Sequence, residues 1–266
     1  EDPRLGLDAL ATVSGLRRES LNSIDIAFRL GPRLNAAGRL RNARLALDLL
    51  LAEDPAAARA LAEELNQVNG ERQRLLENQL ALAQTKLDGQ DTRALLLVYD
   101  PAFHEGIVGL IASRLSDEYY RPALVIHQGD EESRGSARSI EGVHITHALD
   151  ECNDLLTRWG GHALAAGVTL PSSNLDALRE RLTAYCAAHL DGADRDPKVH
   201  VDAIVTLDEL SVETPDALAA LEPFGEGNPE PALATRRLHL LSARAVGQEG
   251  KHLRMDVTDG RRTLPA

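Results

Sequence analysis

A single long helical segment constrains this sequence more than any other feature. It begins at Asp54-Pro55, where an aspartate suited to the N-cap precedes a proline suited to the first helical turn. The residues that follow, to about position 87, are rich in Ala, Leu, Glu, Gln and Arg, and they predict a helix of roughly 50 Å that Asn69-Gly70 could bend. A helix of that length exceeds the radius of one domain. It therefore predicts a connector between residues 1 to about 50 and a second body that begins near residue 93.

The segment from about residue 93 to residue 190 alternates between apolar runs and helical stretches. The predicted strands cover 93–99, 123–127, 133–140 and 165–170. The predicted helices cover 106–116, 145–156 and a stretch from Ser172 or Ser173 to about 189. Gly160-Gly161 predicts a turn before the last strand. This alternation predicts an α/β domain whose sheet is at least partly parallel.

The last part of the chain shows a different pattern. Residues 191–198 (DGADRDPK) are polar and contain Gly and Pro, so they predict a linker. Strands are then predicted at 199–207, 237–246 and 253–258, with a hairpin turn at Asp259-Gly260. This spacing is typical of a small β-barrel, but the strands are too few to close one. Because the first residues, Glu1-Asp2-Pro3, also lack a Met, the sequence predicts a fragment of a longer protein.

The charge composition argues against a polyanion-binding surface over the whole chain. The 266 residues include 29 Lys and Arg against 41 Asp and Glu, which gives a formal charge of −12. The carboxylates are unevenly spread, however, and the segments 26–47, 155–175 and 231–248 contain arginines but no acid. These segments indicate either a positive groove on an acidic protein or ordinary solvated and salt-bridged surface. Composition alone does not decide between the two.

Several classes of protein are excluded more firmly. No apolar run approaches the ~18 residues that a membrane-spanning helix needs, and no signal segment is visible. Cys152 and Cys186 have no CxxC spacing, which argues against a disulfide framework or a cysteine zinc site and predicts a reducing, cytoplasmic location. His144 and His147 lack a third ligand pattern, so a metal site there is not favoured. No P-loop, nucleophile elbow or Rossmann fingerprint is present, and the chain shows no catalytic centre of its own.

Two arginine-containing segments are candidates for binding phosphate. In 31–39 (GPRLNAAGR), small residues let a phosphate approach the backbone and guanidinium groups can donate to its oxygens. In 134–139 (RGSARS), alternation along a strand places Ser136 and Arg138 on one face, where a hydroxyl and a guanidinium could clamp a terminal phosphate. The alternative for both segments is a structural role, with arginines that hold carboxylates or lie at a strand edge.

Two histidine-containing segments are candidates of the same kind. Gly160-Gly161 precedes His162, and the small residues around it would let a ligand pass close while the imidazole hydrogen-bonds or stacks. His104 precedes a predicted helix, where it could face a phosphate or simply cap the helix. Because a lone histidine is more often structural than functional, both interpretations stay open on the residues alone.

Six short segments follow one another along the chain: 31–40 (GPRLNAAGRL), 104–115 (HEGIVGLIASRL), 121–126 (RPALVI), 135–144 (GSARSIEGVH), 160–170 (GGHALAAGVTL) and 223–231 (PFGEGNPEP). In order and spacing they resemble the RecJ family of single-stranded-DNA-specific exonucleases, in the DHH phosphoesterase superfamily. The family's DHH triplet is absent here. Ala137 departs from the family, which more usually has glycine at that position.

The resemblance implies an α/β protein made of four parts. They are a remnant of a DHH domain at 1–50, a connecting helix at 51–92, a DHH-associated domain with a mixed sheet at 93–191, and an incomplete OB-fold barrel at 196–266. The family's two Mn²⁺ or Mg²⁺ ions are held by the DHH domain, so their ligands are not expected in this chain. By the resemblance, the chain alone is therefore expected to be inactive.

The activity that the resemblance implies is metal-dependent 5′–3′ hydrolysis of single-stranded DNA in DNA recombination and repair. The implied contacts are Arg33, Asn35 and Arg39 to backbone phosphates, Ser136 and Arg138 to the 5′ phosphate, and Gly160, Gly161 and the catalytic His162 to the nucleotide being cut, with His104 in the same substrate-binding set. Single-stranded DNA is the implied partner, and single-strand-binding protein and a RecQ-type helicase are further candidates. Aromatic residues total only 3%, which favours backbone-led binding with little sequence preference.

Two alternatives to this activity stay open. The first is a DHH-family enzyme that acts on short oligoribonucleotides or cyclic dinucleotides, although such an enzyme would not be expected to carry an OB fold. The second is a non-catalytic RecJ-like scaffold that binds single strands.

Overall fold

A computed structural model describes residues 4–17, 19, 21–190, 197–247, 250 and 252–265. Residues 191–196 of the predicted linker and the N-terminal Glu1-Asp2-Pro3 lie outside the described residues. The chain divides into unit 1, which extends to Pro197, and unit 2, which begins at Lys198. In the described part of the chain, no helix is both long enough and apolar enough to cross a membrane.

The first half of unit 1 is helical. Its helices are α1 (Leu5–Val13), α2 (Ser23–Asp25, continued by a π-helical turn at Ile26–Leu30), α3 (Gly31–Leu40), α4 (Arg44–Leu50) and α5 (Pro55–Leu87). Helix α5 begins as predicted, because the Asp54 carboxylate accepts a hydrogen bond from the Ala57 amide at 2.7 Å. It continues through Asn69-Gly70 without a break. Its first half packs against α1, α3 and α4, and its last turns pack against the sheet that follows.

A five-stranded mixed sheet forms the second half of unit 1. Its strands are β1 (Leu96–Asp100), β2 (Ala123–His127), β3 (Glu132–Arg138), β4 (Arg158–His162) and β5 (Ala165–Pro171), in the order β1-β2-β3-β5-β4. Strands β1 and β2 are parallel, and the other neighbours are antiparallel. Helix α6 (Val108–Tyr119) lies against one face, and α7 (Ile145–Asp150) and α8 (Leu175–Leu190) lie against the other. The predicted mixed α/β architecture is confirmed.

Strand β2 shows why the central strands could be predicted from an apolar run. Leu124 and Ile126 are buried in the cluster under α7 and α8, whereas Ala123 and Val125 are buried in the cluster under α5 and α6. A strand covered on both faces has no polar alternation, so its sequence is continuously apolar.

Two predictions in this region are wrong. The sequence predicts a turn at Gly160-Gly161, but both glycines lie within β4 and pair with β5, and the chain reverses at residues 163–164 instead. Gly161 has a φ of +153°, and a Cβ there would lie 2.2 Å from the Ala165 carbonyl oxygen, so this pairing requires glycine. The helix predicted at 145–156 ends at Asp150, whose carbonyl accepts a hydrogen bond from the Asn153 side chain at 2.8 Å.

Unit 2 is built mainly of short strands. Strand β6 (Ala203–Ile204) runs parallel to β7 (Leu233–Ala234), and β8 (His239–Val246), β9 (His252–Thr258) and β10 (Thr263–Pro265) form an antiparallel sheet with β9 in the middle. The strand predicted at 199–207 is reduced to two residues, because Thr206 and Glu209 cap a 3₁₀ turn there. Helix α9 (Thr214–Ala219) is not predicted from the sequence.

Candidate nucleic-acid interface

Strand register gives one face of the sheet in unit 1 an unusual composition. Residues directly opposite each other on antiparallel strands project to the same side of a sheet. The register across β3, β5 and β4 therefore forms three rows on that side: Arg138–Ala165–His162, Ser136–Gly167–Gly160 and Arg134–Thr169–Arg158. We call these nine residues the open face. The open face lies on the same side of the sheet as α6. Helix α6 covers that side over β1 and β2, and the open face continues it toward the edge strand β4.

The floor of the open face is made of very small residues. Gly160 and Gly167 are exposed, and a Cβ built on Gly160 would meet no atom within 4 Å. A cleft of about 450 Å³ lies along this floor, lined among others by Arg134, Arg158 and Thr169. A ligand can therefore approach the sheet backbone here to a distance that a side chain would prevent.

Ser136 and Arg138 lie together at the inner border of the open face, beside the first turn of α6. A Cβ on Gly109 of that helix would lie 3.0 Å from Ser136 Oγ and 3.4 Å from Arg138 Nη2. Both side chains thus share one face, as strand alternation predicts. Glycine at position 109 leaves room beside the hydroxyl and the guanidinium, both of which belong to half-buried residues. Their use as a phosphate clamp stays a prediction.

Arg138 is a half-buried cation without an acidic partner. Its Nη1 donates to the neighbouring Ala137 carbonyl at 2.8 Å, and it forms no salt bridge with any residue that the structure describes. Burial lowers the pKa of Arg138, and the positive charge of Arg39 lowers it further. Because an arginine keeps its charge in spite of such shifts, an anion bound here would relieve an existing repulsion.

Arg39 reaches this place from the C-terminal end of α3. Its Nη1 donates to the Gly106 carbonyl at 3.2 Å. A Cβ on Gly106 would lie 2.0 Å from the Arg39 carbonyl oxygen, so glycine is required where α3 meets the loop before α6. This tight contact brings two of the predicted arginines, Arg39 and Arg138, close together although they are far apart in sequence.

Arg33 and Asn35 are not brought to the same place. Arg33 Nε donates to Asn66 Oδ1 on α5 at 2.9 Å, and its Nη1 donates to the Arg29 carbonyl at 2.6 Å. Burial lowers the pKa of Arg33, and the charge of Arg29 adds to this effect. Asn35 is exposed on the same helix. The predicted segment 31–39 therefore presents Arg33 to α5 and only Arg39 toward the sheet.

His104 occupies the turn before α6. Its Nδ1 accepts a hydrogen bond from the Gly106 amide at 3.0 Å, and its own amide donates to Gln79 Oε1 on α5 at 3.0 Å. These bonds hold the turn that precedes α6, whose own N-cap, Ile107, has no side-chain hydrogen bond. His104 is exposed, however, and its ring bonds to the amide of Gly106, the residue whose carbonyl Arg39 contacts.

His162 is exposed at the end of the edge strand β4, in the same row as Arg138. Its carbonyl accepts a hydrogen bond from Thr146 Oγ1 at 2.8 Å, which ties β4 to the start of α7. The small Ala165 lies between Arg138 and His162 in that row, so space remains open beside the imidazole.

Metal ligation is not supported in the described part of the chain. No group of three or more His, Cys, Asp or Glu residues there is placed to hold a metal ion. His144 and His147, the predicted weak candidates, stack on each other with ring centroids 3.6 Å apart. These residues therefore supply no ligand set for Mn²⁺ or Mg²⁺.

On the sequence alone, Arg158 of the open face is noticed only as the arginine of the acid-free segment 155–175 and is not chosen as a candidate site residue. It is exposed, lies opposite Thr169, and forms no salt bridge among the described residues. The sequence signal for Arg158 is that it alternates with Gly160 and His162, which places the three residues on one face of a strand. This alternation can be recognised only if Gly160-Gly161 is interpreted as part of a strand and not as a turn.

Comparisons with known proteins match this architecture. A model of the DHHA1 domain matches residues 91–188, and a model of the RecJ OB domain matches residues 201–266. The single-stranded-DNA-specific exonuclease RecJ of Bacillus subtilis is 36% identical over 258 residues, which is 96% of this chain and 33% of that protein. The protein of the same name from Escherichia coli is 33% identical over 264 residues, which is 96% of this chain and 45% of that protein.

Solved structures show the same relationship. RecJ from Thermus thermophilus in complex with Mn²⁺ superposes with a TM-score of 0.85 and 34% identity, over 100% of this chain and 38% of that one. Its complex with Mg²⁺ gives a TM-score of 0.79 and 35% identity, over 96% of this chain and 39% of that one. The chain spans between 33% and 45% of the length of the curated relatives that it matches. The chain thus carries a DHHA1 domain followed by a RecJ OB domain, and it is similar to RecJ along nearly all of its length.

Proposed function

We propose that this chain supplies the substrate-binding part of a RecJ-type exonuclease that degrades single-stranded DNA from its 5′ end. The observation that carries the proposal is the open face, where Arg138 and His162 flank a floor of glycine and alanine. The relatives' name, single-stranded-DNA-specific exonuclease, and the match to the RecJ OB domain support the same substrate.

The inner border of the open face binds the terminal 5′ phosphate. Ser136 donates its hydroxyl and Arg138 its guanidinium, and Arg39 adds a second positive charge nearby. A terminal phosphate carries more negative charge than an internal phosphodiester, and each charge-assisted hydrogen bond is worth about 1.5–3 kcal/mol. This border therefore distinguishes a phosphorylated end from a hydroxyl end.

The rest of the open face positions the first nucleotide. Gly160, Gly161 and Gly167 let the sugar-phosphate backbone lie against the sheet, and His162 hydrogen-bonds to the phosphate or sugar of the nucleotide being cut. Asn35 on α3 and His104 before α6 contact other phosphates of the strand, and Arg33 joins them once its guanidinium leaves Asn66. Because these contacts are made to the backbone, binding has little sequence preference.

The hydrolysis in this proposal uses Mn²⁺ or Mg²⁺, the ions present in the solved Thermus thermophilus RecJ structures. The residues described here offer no ligand set for either ion. The ions are therefore held by another part of the enzyme, and the residues of this chain bind and orient the strand.

The alternatives have less support. An enzyme for short oligoribonucleotides or cyclic dinucleotides has no evident use for the RecJ OB domain matched at residues 201–266. A non-catalytic scaffold would use the same binding surface and differ only in hydrolysis. We further propose that the enzyme works in cytoplasmic DNA repair and recombination, with single-strand-binding protein and a RecQ-type helicase as candidate partners.

The test compares two arginines on one face of one strand. Arg138 has no acidic partner among the described residues, whereas Arg134 forms salt bridges with Glu105 and Glu132. Each is changed to alanine, and affinity is measured for oligothymidine of about 12 nucleotides with a 5′ phosphate or a 5′ hydroxyl. Arg138→Ala is expected to lose about tenfold in affinity for the phosphorylated end alone. Arg134→Ala is expected to change affinity for both ends by the same factor, because Arg134 lies in a different row of the open face from Ser136 and Arg138. Equal losses on both ends from Arg138→Ala, or a loss confined to the phosphorylated end from Arg134→Ala, would contradict the proposal.

A further inference from the structure

The antiparallel sheet of unit 2 places two arginines directly opposite each other. Arg244 on β8 and Arg254 on β9 are partners in the strand register. Opposite residues in such a sheet have Cβ atoms ~4.5–5.5 Å apart, and like charges at these positions are destabilising. Both residues are exposed, and within the described residues neither forms a salt bridge. The pair therefore costs stability in the isolated unit.

The neighbours of the pair do not neutralise it. On the same face, the next position holds Ser242 and Asp256, and the Asp256 carboxylate accepts the Ser242 hydroxyl at 2.5 Å. On the other side lies His252, whose ring packs close to Gly247 at the end of the hairpin. Among the described neighbours of the pair, the one acid thus has a hydroxyl as its partner, and neither guanidinium group forms a salt bridge with them.

The pair also lies on the polar side of the sheet. Met255 and Val257 alternate with Arg254 along β9, so they project to the opposite side, and both are half-buried. No Phe, Tyr or Trp occurs between residues 239 and 265. No Phe, Tyr or Trp ring is available there for base stacking, whereas a phosphate would find two guanidinium groups on directly opposite residues.

We propose that Arg244 and Arg254 jointly bind one backbone phosphate of single-stranded DNA. This inference rests on the proposed function, because it takes single-stranded DNA as the ligand. A phosphate between the two guanidinium groups replaces a like-charge repulsion with two charge-assisted contacts. The site recognises the charge and geometry of the DNA backbone and does not distinguish between base sequences.

This arrangement gives opposite effects on stability and on binding. Replacing either arginine with glutamine removes the repulsion, so the β8–β9 ribbon becomes more stable without DNA. The same change removes one of the two contacts to the phosphate, so DNA binding weakens. An arginine with a purely structural role would instead lose stability when it is replaced.

The experiment uses the whole chain and the variants Arg244→Gln, Arg254→Gln and the double variant. Arg236→Gln is the matched control, because Arg236 is an exposed arginine of the same unit with no salt bridge among the described residues. Affinity for oligothymidine is measured over a range of salt, and amide hydrogen exchange is followed in β8 and β9. Each single variant is expected to lose about tenfold in affinity with little change in the log-log salt slope, because the remaining arginine still neutralises the phosphate. Exchange in the ribbon is expected to slow. The double variant is expected to reduce the log-log salt slope by about 0.7, since one phosphate then lacks any cation.

The outcomes separate this inference from the proposed function. If Arg138→Ala weakens binding but the two glutamine variants behave like Arg236→Gln, the paired site is refuted and the proposed function stands. Faster exchange in the ribbon of either variant would show a structural role and also refute the paired site. Tighter binding of an acidic peptide than of oligothymidine at equal ionic strength would refute nucleic acid as its ligand. A parent chain that binds no oligothymidine would refute both.

Discussion

Gly160 and Gly161 are neighbours on β4, yet replacing each with alanine is expected to change the protein's free energy of unfolding in opposite directions. At Gly160 a Cβ would meet no atom within 4 Å, and its φ is not positive. Gly160→Ala therefore restricts mainly the unfolded chain and raises the free energy of unfolding by about 0.4–1 kcal/mol. At Gly161, φ is +153° and a Cβ would lie 2.2 Å from the Ala165 carbonyl oxygen. Gly161→Ala is expected to lower the free energy of unfolding by at least about 1–3 kcal/mol.

The stabilising change at Gly160 is also expected to weaken DNA binding. Its methyl group would stand on the floor of the open face, in the row that includes Ser136 and Gly167. If it displaces the strand enough to lose one charge-assisted contact of about 1.5 kcal/mol, affinity falls about tenfold. A more stable protein that binds more weakly is the signature of a surface kept free for a ligand.

The sequence offers a built-in probe for this test. Trp159 is the only tryptophan, and its Nε1 donates to Asp150 Oδ1 at 2.8 Å beside the two glycines. Its fluorescence in urea reports unfolding of this sheet edge, and oligothymidine titration gives affinity. Gly70→Ala in α5 is the control, because a Cβ there also meets nothing within 4 Å and the helix is expected to gain ~1 kcal/mol without any effect on binding. A Gly160→Ala protein that binds like the parent, or one that is destabilised, would refute the reasoning.

Three further predictions concern charge, catalysis and the division of labour. Arg39→Ala is expected to lower the log-log salt slope of single-strand binding by about 0.7. Arg33→Ala is expected to do the same if the Arg33 guanidinium of the parent leaves Asn66 to bind a phosphate. Unchanged slopes together with lower thermal stability would show that both arginines are structural. In a complete RecJ-type enzyme carrying this sequence, His162→Ala is expected to slow single-turnover cleavage about 10²-fold while the denaturant midpoint stays the same, because the residue is exposed; a normal rate would return His162 to a structural role. The chain by itself is expected to bind oligothymidine but not to hydrolyse it with Mn²⁺ or Mg²⁺, and metal-dependent cleavage by the pure chain would contradict this division of labour.

Regular features of the fold are predictable from local sequence. The strand at Ala123–His127 is predicted to the residue, because a continuously apolar run bounded by polar residues has few other uses. The start of α5 follows from Asp54-Pro55, whose cap has the predicted geometry. The common face of Ser136 and Arg138 follows from strand periodicity alone. In each case the determining interactions lie within a few residues of one another.

Features set by distant contacts are not predictable in the same way. Gly160-Gly161 resembles a turn locally, and only its pairing with β5 makes it a strand. The orientation of Arg33 depends on Asn66, which lies on another helix. The proximity of Arg39 and Arg138 depends on the close packing at Gly106. The candidate residues can thus be chosen from the sequence, but their grouping into one face requires the structure.

The most direct test of the account is a crystal structure of the chain with a short 5′-phosphorylated oligothymidine. We predict that the terminal phosphate lies against Ser136 and Arg138, and that the strand backbone crosses Gly160 and Gly167 beside His162. A strand bound elsewhere in unit 1, with the open face free of DNA, would contradict it.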